Sequence, residues 1–181
     1  MSTLADQIRN IIDIFTSREP SVSARFLQRL NEGCLTRDEG NMSHFCVYFL
    51  PYDPASRKVF MIHHKKSGKW LSPGGHIDRG ELLLEALNRE IQEELGVTNA
   101  FPALPAPFLI TATPIDNPIQ PCKEHLDLWF LLETNGSSFA PDPHEFLATR
   151  WLDFDEAESL ITDPANRKAL GIVRSRNAMQ A

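Results

Sequence analysis

Glu90, Glu93 and Glu94 fall within little more than one helical turn, and a glycine-rich loop, Pro73-Gly74-Gly75, precedes them. Carboxylates at that density repel one another: Glu90 and Glu94 form an i,i+4 pair, a like-charge spacing that costs a helix about 0.2–0.5 kcal/mol. A hard divalent cation removes that penalty, because it takes several oxygen ligands at once from carboxylates and backbone carbonyls. The chemistry these residues suit is therefore that of Mg²⁺ or Mn²⁺.

The element that must hold them is residues 74–97, GGHIDRGELLLEALNREIQEELGV. Two glycines and a short polar loop lead into an unbroken helical pattern. At 3.6 residues per turn Leu84, Leu87, Ile91 and Leu95 share one face, expected to dock into a core, while Glu90, Glu93 and Glu94 crowd another. A solvated acidic face looks the same over the glutamates alone. The wider spacing separates the two readings. From Gly75 the stretch satisfies G-x5-E-x7-R-E-U-x-E-E-x-G-U, with U apolar, through Gly75, Glu81, Arg89, Glu90, Ile91, Glu93, Glu94, Gly96 and Val97. This resembles the Nudix box, and Trp70-Leu71-Ser72-Pro73-Gly74 resembles the W-x-x-P-G lead-in common in that family.

The resemblance, which covers about residues 43–160, implies a loop-helix-loop that holds divalent ions against the diphosphate of a nucleotide derivative. It implies metal ligation by Glu90, Glu93, Glu94 and the Gly74 carbonyl, with Glu90 sometimes acting as the base instead. It implies a structural ion pair between Glu81 and Arg89. Family members also place an acidic residue in the loop before a tryptophan-bearing strand, as a further ligand or the base; Glu145, ahead of Trp151, is that residue here. The expected catalytic set is thus Glu90, Glu93 and Glu145. The implied reaction is hydrolysis of the diphosphate linkage of a nucleoside diphosphate derivative (a nucleoside triphosphate, an ADP-ribose-like compound or a dinucleotide) by Mg-activated water. A non-catalytic nucleotide-sensing module is an alternative, although such modules commonly lose box glutamates. An isopentenyl-diphosphate-isomerase-like enzyme is another, but no cysteine lies in a context resembling that enzyme's motifs.

Substrate contacts are harder to read. Lys66 and Lys69, in the loop just ahead of the glycines, can steer phosphate, and a solvated turn explains them equally. His125 shares a strand face with Asp127 and is either a substrate contact or half of a structural pair. His63, His64 and His76 read as ordinary hydrogen-bonding residues, since oxygen-preferring ions do not select imidazole. Subfamily signals are off register. The proline of ADP-ribose hydrolases would fall near Ala112, and the nearest is Pro114; the tyrosine of diadenosine polyphosphate hydrolases has no counterpart; a coenzyme A pattern would need arginines where His63 and Lys66 stand.

The chain of 181 residues, 42% hydrophobic, can bury a substantial core and is most simply one domain with appendages. Its formal net charge of −6 argues against nucleic acid as a partner, leaving a small-molecule nucleotide substrate. Cys34, Cys46 and Cys122 lack C-x-x-C spacing, so neither a zinc site nor a disulfide framework is indicated. With no leader pattern and no long apolar run, a reducing cytoplasm and no membrane contact are expected.

Helical spacing over residues 2–17 and 21–30 forms an N-terminal extension, residues 1–42, expected to pack against the core, with homodimerisation or a lid as alternatives. Residues 44–50 and 58–64 read as a hairpin, 108–113 as a strand within a proline-dense stretch (102–121), and 125–133 as a central strand. Arg150-Trp151-Leu152 begins the last strand, ending a catalytic domain of residues 43–160. Residues 155–160 and 164–174 read as closing helices, residues 161–181 belonging to the same domain with a frayed tail. The order predicts an α/β fold, a Nudix-type α/β/α sandwich around a mixed sheet.

Overall fold

The alternating and continuous apolar runs become strands, and the amphipathic runs become helices covering both sheet faces. A computed structural model of the chain describes residues 2–40, 42–116 and 122–179. Helices α1 (Leu4–Phe15) and α2 (Pro20–Glu32) come first, then a 3-10 turn (Arg37–Glu39) and strands β1 (Ser43–Asp53), β2 (Lys58–His64), β3 (Trp70–Leu71) and β4 (Gly74–His76). Helix α3 (Leu83–Leu95) follows, then β5 (Leu109–Pro114), β6 (Glu124–Glu133), β7 (Phe146–Leu152), α4 (Phe154–Leu160) and α5 (Pro164–Met179).

The sheet runs β3-β2-β1-β6-β5, with β7 on β2 and β4 on β1. β1 and β6 pair in parallel from Ser43↔Glu124 to Tyr52↔Glu133 and form its buried centre, which is why both read as nearly continuous apolar runs. The other edge of β1 is shared. It pairs with β2 only at Tyr52↔Val59 and Asp53↔Lys58, and further back β4 takes over through Tyr48↔Gly74, Val47↔Gly75 and Cys46↔His76. The glycine loop is thereby fixed to the central strand.

One face is covered by α1, α2 and α3: Ile8, Ile12, Phe15 and Phe26 share a core with Phe45, Val47, Leu87 and Ile91. Phe26 meets Phe45 edge-on at 5.1 Å. On the other face Leu50, Met61 and Trp129 pack against Ala157, Ile161, Ala169 and Leu170 of α4 and α5. This is the three-layer arrangement the element order predicts. The N-terminal helices are built into the main core, and α1 also reaches α3 directly: Gln7 Oε1 accepts the Leu83 N–H at 3.0 Å, occupying a donor that the helix start leaves without an intrahelical partner.

Several expectations need correction. The docking face of α3 carries Leu83, Ala86, Leu87, Ile91 and Leu95 but not Leu84, and Glu90 and Glu94 are buried with it rather than on an opposite face. The row 83-87-90-94 is one stripe at helical spacing, so the glutamates inherit the burial of the leucines. The last strand starts at Phe146, not Arg150; only its ends are buried, and a partly exposed strand lacks the apolar run that marks a central one. α5 continues past Arg174 to Met179, and β3 and β4 were not legible at all. Residues 117–121 of the proline-dense stretch and the final residues 180 and 181 lie outside the described residues. Among the described residues no helix is long and apolar enough to cross a membrane.

Candidate active site

Arg89 organises the box. Its guanidinium donates to Glu81 through Nε at 2.7 Å and Nη2 at 2.9 Å, to Glu90 at 2.8 Å, to Glu93 at 3.1 Å and to the His76 carbonyl at 2.8 Å. Glu81 in turn accepts the Asp78 N–H at 2.9 Å, so one bidentate pair ties the loop to the helix. Burial works against the charged form of Glu81, but the hydrogen bonds from Arg89 and the Asp78 N–H, with the Arg89 charge, together outweigh it and hold the carboxyl below its usual range.

The glutamates differ sharply in environment. Glu93 is largely exposed, whereas Glu90 and Glu94 are 8% and 5% exposed. Glu94 accepts the Gly74 N–H at 2.6 Å. Burial first, then the neighbouring Glu90 charge, pushes the Glu94 carboxyl well up, and burial raises Glu90 to about 7 despite Arg89. Of these two adjacent buried carboxylates only Glu90 touches Arg89, so the pair lacks positive charge. The loop geometry leaves room for them: a Cβ on Gly75 would stand 2.5 Å from Glu90 Oε1, and Gly74 adopts φ +142° against the β1 backbone. At Gly74 only glycine fits.

These groups open into a cavity of about 650 Å³. Gly74, Gly75, Glu90, Glu93 and Glu94 line it, with Lys66 and Lys69 exposed on one side. Glu145 also lines it, one residue before β7. Its loop is held to the C-terminal end of α3 by Ala140 N–H to Leu95 O (2.8 Å) and Asp142 N–H to Glu94 O (3.3 Å). Lys65 fastens the same loop from the other side, its N–H donating to Glu145 O at 3.0 Å and its Nζ to Pro143 O at 2.7 Å.

His125 and Asp127 both line the cavity but do not pair with each other. Asp127 accepts from the Thr111 and Thr113 hydroxyls at 2.8 and 2.5 Å, and burial raises its carboxyl to about 7. His125 instead faces His76, Nε2 to Nε2 at 3.3 Å. Burial lowers His76 to about 3 and His125 to about 4, so both are neutral near pH 7. His63 and His64 make local hydrogen bonds to Gly68 O and Ser67 Oγ.

A family model described as the NUDIX domain matches residues 42–171. The chain belongs to the Nudix family. Among curated proteins it is similar to an m7GpppN-mRNA hydrolase, NUDT17, of Xenopus laevis, 30% identical over 59% of this chain and 40% of that protein. Its namesake from Danio rerio is 28% identical over 51% of this chain and 34% of that one. The chain therefore spans 40% or less of the length of these relatives. Two solved structures share the fold. One is the E. coli dihydroneopterin triphosphate pyrophosphohydrolase, at TM-score 0.53 and 20% identity over 70% of this chain and 91% of that one. The other is a C. elegans Ap4A hydrolase binary complex, at 0.53 and 17% over 75% and 97%.

The Nudix box supplies one wall of the cavity, and residues no box pattern includes supply the rest. Arg37, which is exposed, lines it together with Cys46, Tyr48 and Asn166. Tyr48 stacks on Trp129 at 4.9 Å and 21°, and buried Asn166 accepts the Ser72 N–H at 2.6 Å, tying α5 to the box lead-in. Asn166 lies in the C-terminal segment after residue 160, and Arg37 in the N-terminal extension. The one available signal was helical spacing, which says where a segment packs but not what it lines.

Proposed function

We propose that this Nudix protein is a pyrophosphohydrolase that cuts the diphosphate linkage of a nucleoside diphosphate derivative with Mg²⁺ or Mn²⁺. The observation that carries this is the burial of Glu90 and Glu94 side by side, both pushed towards protonation, in the lining of a cavity large enough for a nucleotide. Their donors are oxygen only, which suits a hard cation. Glu90, Glu93 and Glu94 with the Gly74 carbonyl would hold it. When bound, the cation lowers the pKa of a water and neutralises charge on the phosphate oxygens.

The residues of the chain do the remaining work. Arg89 orients Glu90 and Glu93 and pins them to the loop through Glu81 and the His76 carbonyl. Glu145, held by the Lys65 clamp, takes the proton of the attacking water. Lys66, Lys69 and Arg37 at the cavity rim draw in the polyphosphate, and the Tyr48–Trp129 stack offers an aromatic edge to a base. Residues 1–42 act as a brace for the box helix, with the hydrolase unit in residues 43–160.

The Xenopus relative is named as an mRNA-cap hydrolase, so a cap dinucleotide belongs among the candidate substrates. The deciding experiment incubates the protein and Mg²⁺ with nucleoside triphosphates, ADP-ribose, nucleotide sugars, dinucleoside polyphosphates, coenzyme A, cap dinucleotide and isopentenyl diphosphate. Release of phosphate, diphosphate or a nucleoside monophosphate supports a hydrolase; nucleotide binding without release supports a sensor, and isomerised isopentenyl diphosphate the third reading. A Glu145→Gln variant at the parental rate would move the base to Glu90.

A further inference from the structure

We propose that His44, Cys46, His76 and His125 form a second cation site, built from nitrogen and sulfur and suited to Zn²⁺ or a related transition metal. It differs from the box site in donors and in ion.

Strand register creates it. His44 and Cys46 lie two apart on β1 and so project from one face. The parallel β1–β6 pairing sets His125 beside His44, and the antiparallel β1–β4 pairing sets His76 beside Cys46. One ligand atom from each residue lies within 4.8 Å of all the others. Tetrahedral Zn²⁺ at about 2.0–2.3 Å from nitrogen and sulfur places its ligands roughly 3.3–3.8 Å apart, so convergence of about 1 Å completes the sphere. The three imidazoles already touch pairwise, with ring centroids 4.8, 5.2 and 4.9 Å apart. Three sheet-bound backbones hold them, so little chain ordering is needed on binding.

The donor set selects the ion. Imidazole and thiolate favour Zn²⁺, Co²⁺, Ni²⁺ or Cu²⁺ over Mg²⁺, the reverse of the box glutamates. His44 and Cys46 are fully buried and His125 nearly so, which matches a closed site reached through the cavity. Cys122 Sγ lies 3.7 Å from His76 Nε2 but stands outside the four-ligand set. Two cations also face this part of the cavity, exposed Arg37 and Arg89, which is bound to the His76 carbonyl; Asp127, opposite Cys46 in the β1–β6 register, supplies negative charge. Binding releases the Cys46 thiol proton to solvent, one per ion. Through His76 the ion ties the glycine loop to both central strands.

Cobalt reports on this directly. The full chain, freed of metal by chelator, is titrated with Co²⁺ and followed by absorption. A sulfur-to-cobalt charge-transfer band with intense tetrahedral d–d bands, saturating at one equivalent and bleached by Zn²⁺, is expected. Glu93→Gln retains the band, Cys46→Ser loses the charge-transfer feature, and His125→Ala weakens cobalt binding at least about tenfold, each checked for folding by circular dichroism. Folded parent protein that gives only weak oxygen-ligated cobalt bands overturns the proposal. So does a sulfur band that survives Cys46→Ser.

Discussion

Gly75 and Glu90 compete for the same space: a methyl at Gly75 would stand 2.5 Å from Glu90 Oε1 and 2.6 Å from its Cδ. The obstructed group is the end of a flexible side chain, so it can swing away at little cost to the fold. Gly75→Ala is therefore expected to lower activity roughly 100-fold or more while thermal stability barely moves. Gly74→Ala should behave oppositely, because its methyl meets the β1 backbone and its φ of +142° is closed to other residues; it should destabilise markedly. Paired melting and turnover measurements on the two variants check this; equal effects would contradict it.

Arg89→Lys keeps the charge but cannot make the bidentate pair with Glu81 and reach Glu90, Glu93 and His76 O as well. The expected result is a folded protein with kcat reduced about 10- to 100-fold and KM little changed. Steady-state kinetics read this out, and a parental kcat would show that Arg89 is not what positions the glutamates.

Gln7→Ala removes the acceptor of the Leu83 N–H at the start of α3. By analogy with lost caps the cost is about 1 kcal/mol of stability. Urea denaturation measures it, and a change within error would mean water replaces the glutamine without penalty.

The metal-free protein should lose carboxylate-derived stability as the pH rises towards and through about 7. Glu90 is raised from 4.5 to about 7 and Asp127 from 3.8 to about 7, and Glu94 is also raised well above its ordinary value, each chiefly by burial. A carboxyl raised on folding stabilises fully below its unfolded pKa and ceases to as the pH climbs through the folded value. His76 and His125, lowered from 6.5 to about 3 and about 4, have the opposite sign and penalise the fold in acid. Above about 7 they are neutral folded and unfolded alike, leaving the carboxylate limb alone. Denaturation in EDTA from about pH 6.5 to about 8 should show the decline, reduced in Glu90→Gln and offset by Mg²⁺. Stability that rises over that window would contradict these shifts.

Much of the fold was legible because its strands are long apolar runs and its helices amphipathic. Gly75, Glu81, Arg89 and the box glutamates were legible by spacing, Gly74 and Glu145 only through the family resemblance; all but Glu81 line one cavity, and Glu81 pairs with Arg89. β3 and β4 escaped because two or three residues such as Gly74-Gly75-His76 carry no periodicity. The burial of Glu90 and Glu94 was hidden by their charge, and the His44–Cys46–His76–His125 cluster by register, since its members come from three strands. Local spacing shows only 44 and 46 together. Arg37 and Asn166 reach the cavity from segments that read merely as flanks.

The most direct measurement is hydrolysis of the best substrate from the panel by the parent and by Glu94→Gln, each titrated with Mg²⁺ after exhaustive chelation. Turnover by the parent should be absent without the ion and saturate with it, while Glu94→Gln should stay folded and fall roughly 100-fold or more at any attainable concentration. Parental turnover in the variant, or full turnover of the chelated parent, would show that the buried glutamate pair is not where the diphosphate is cut.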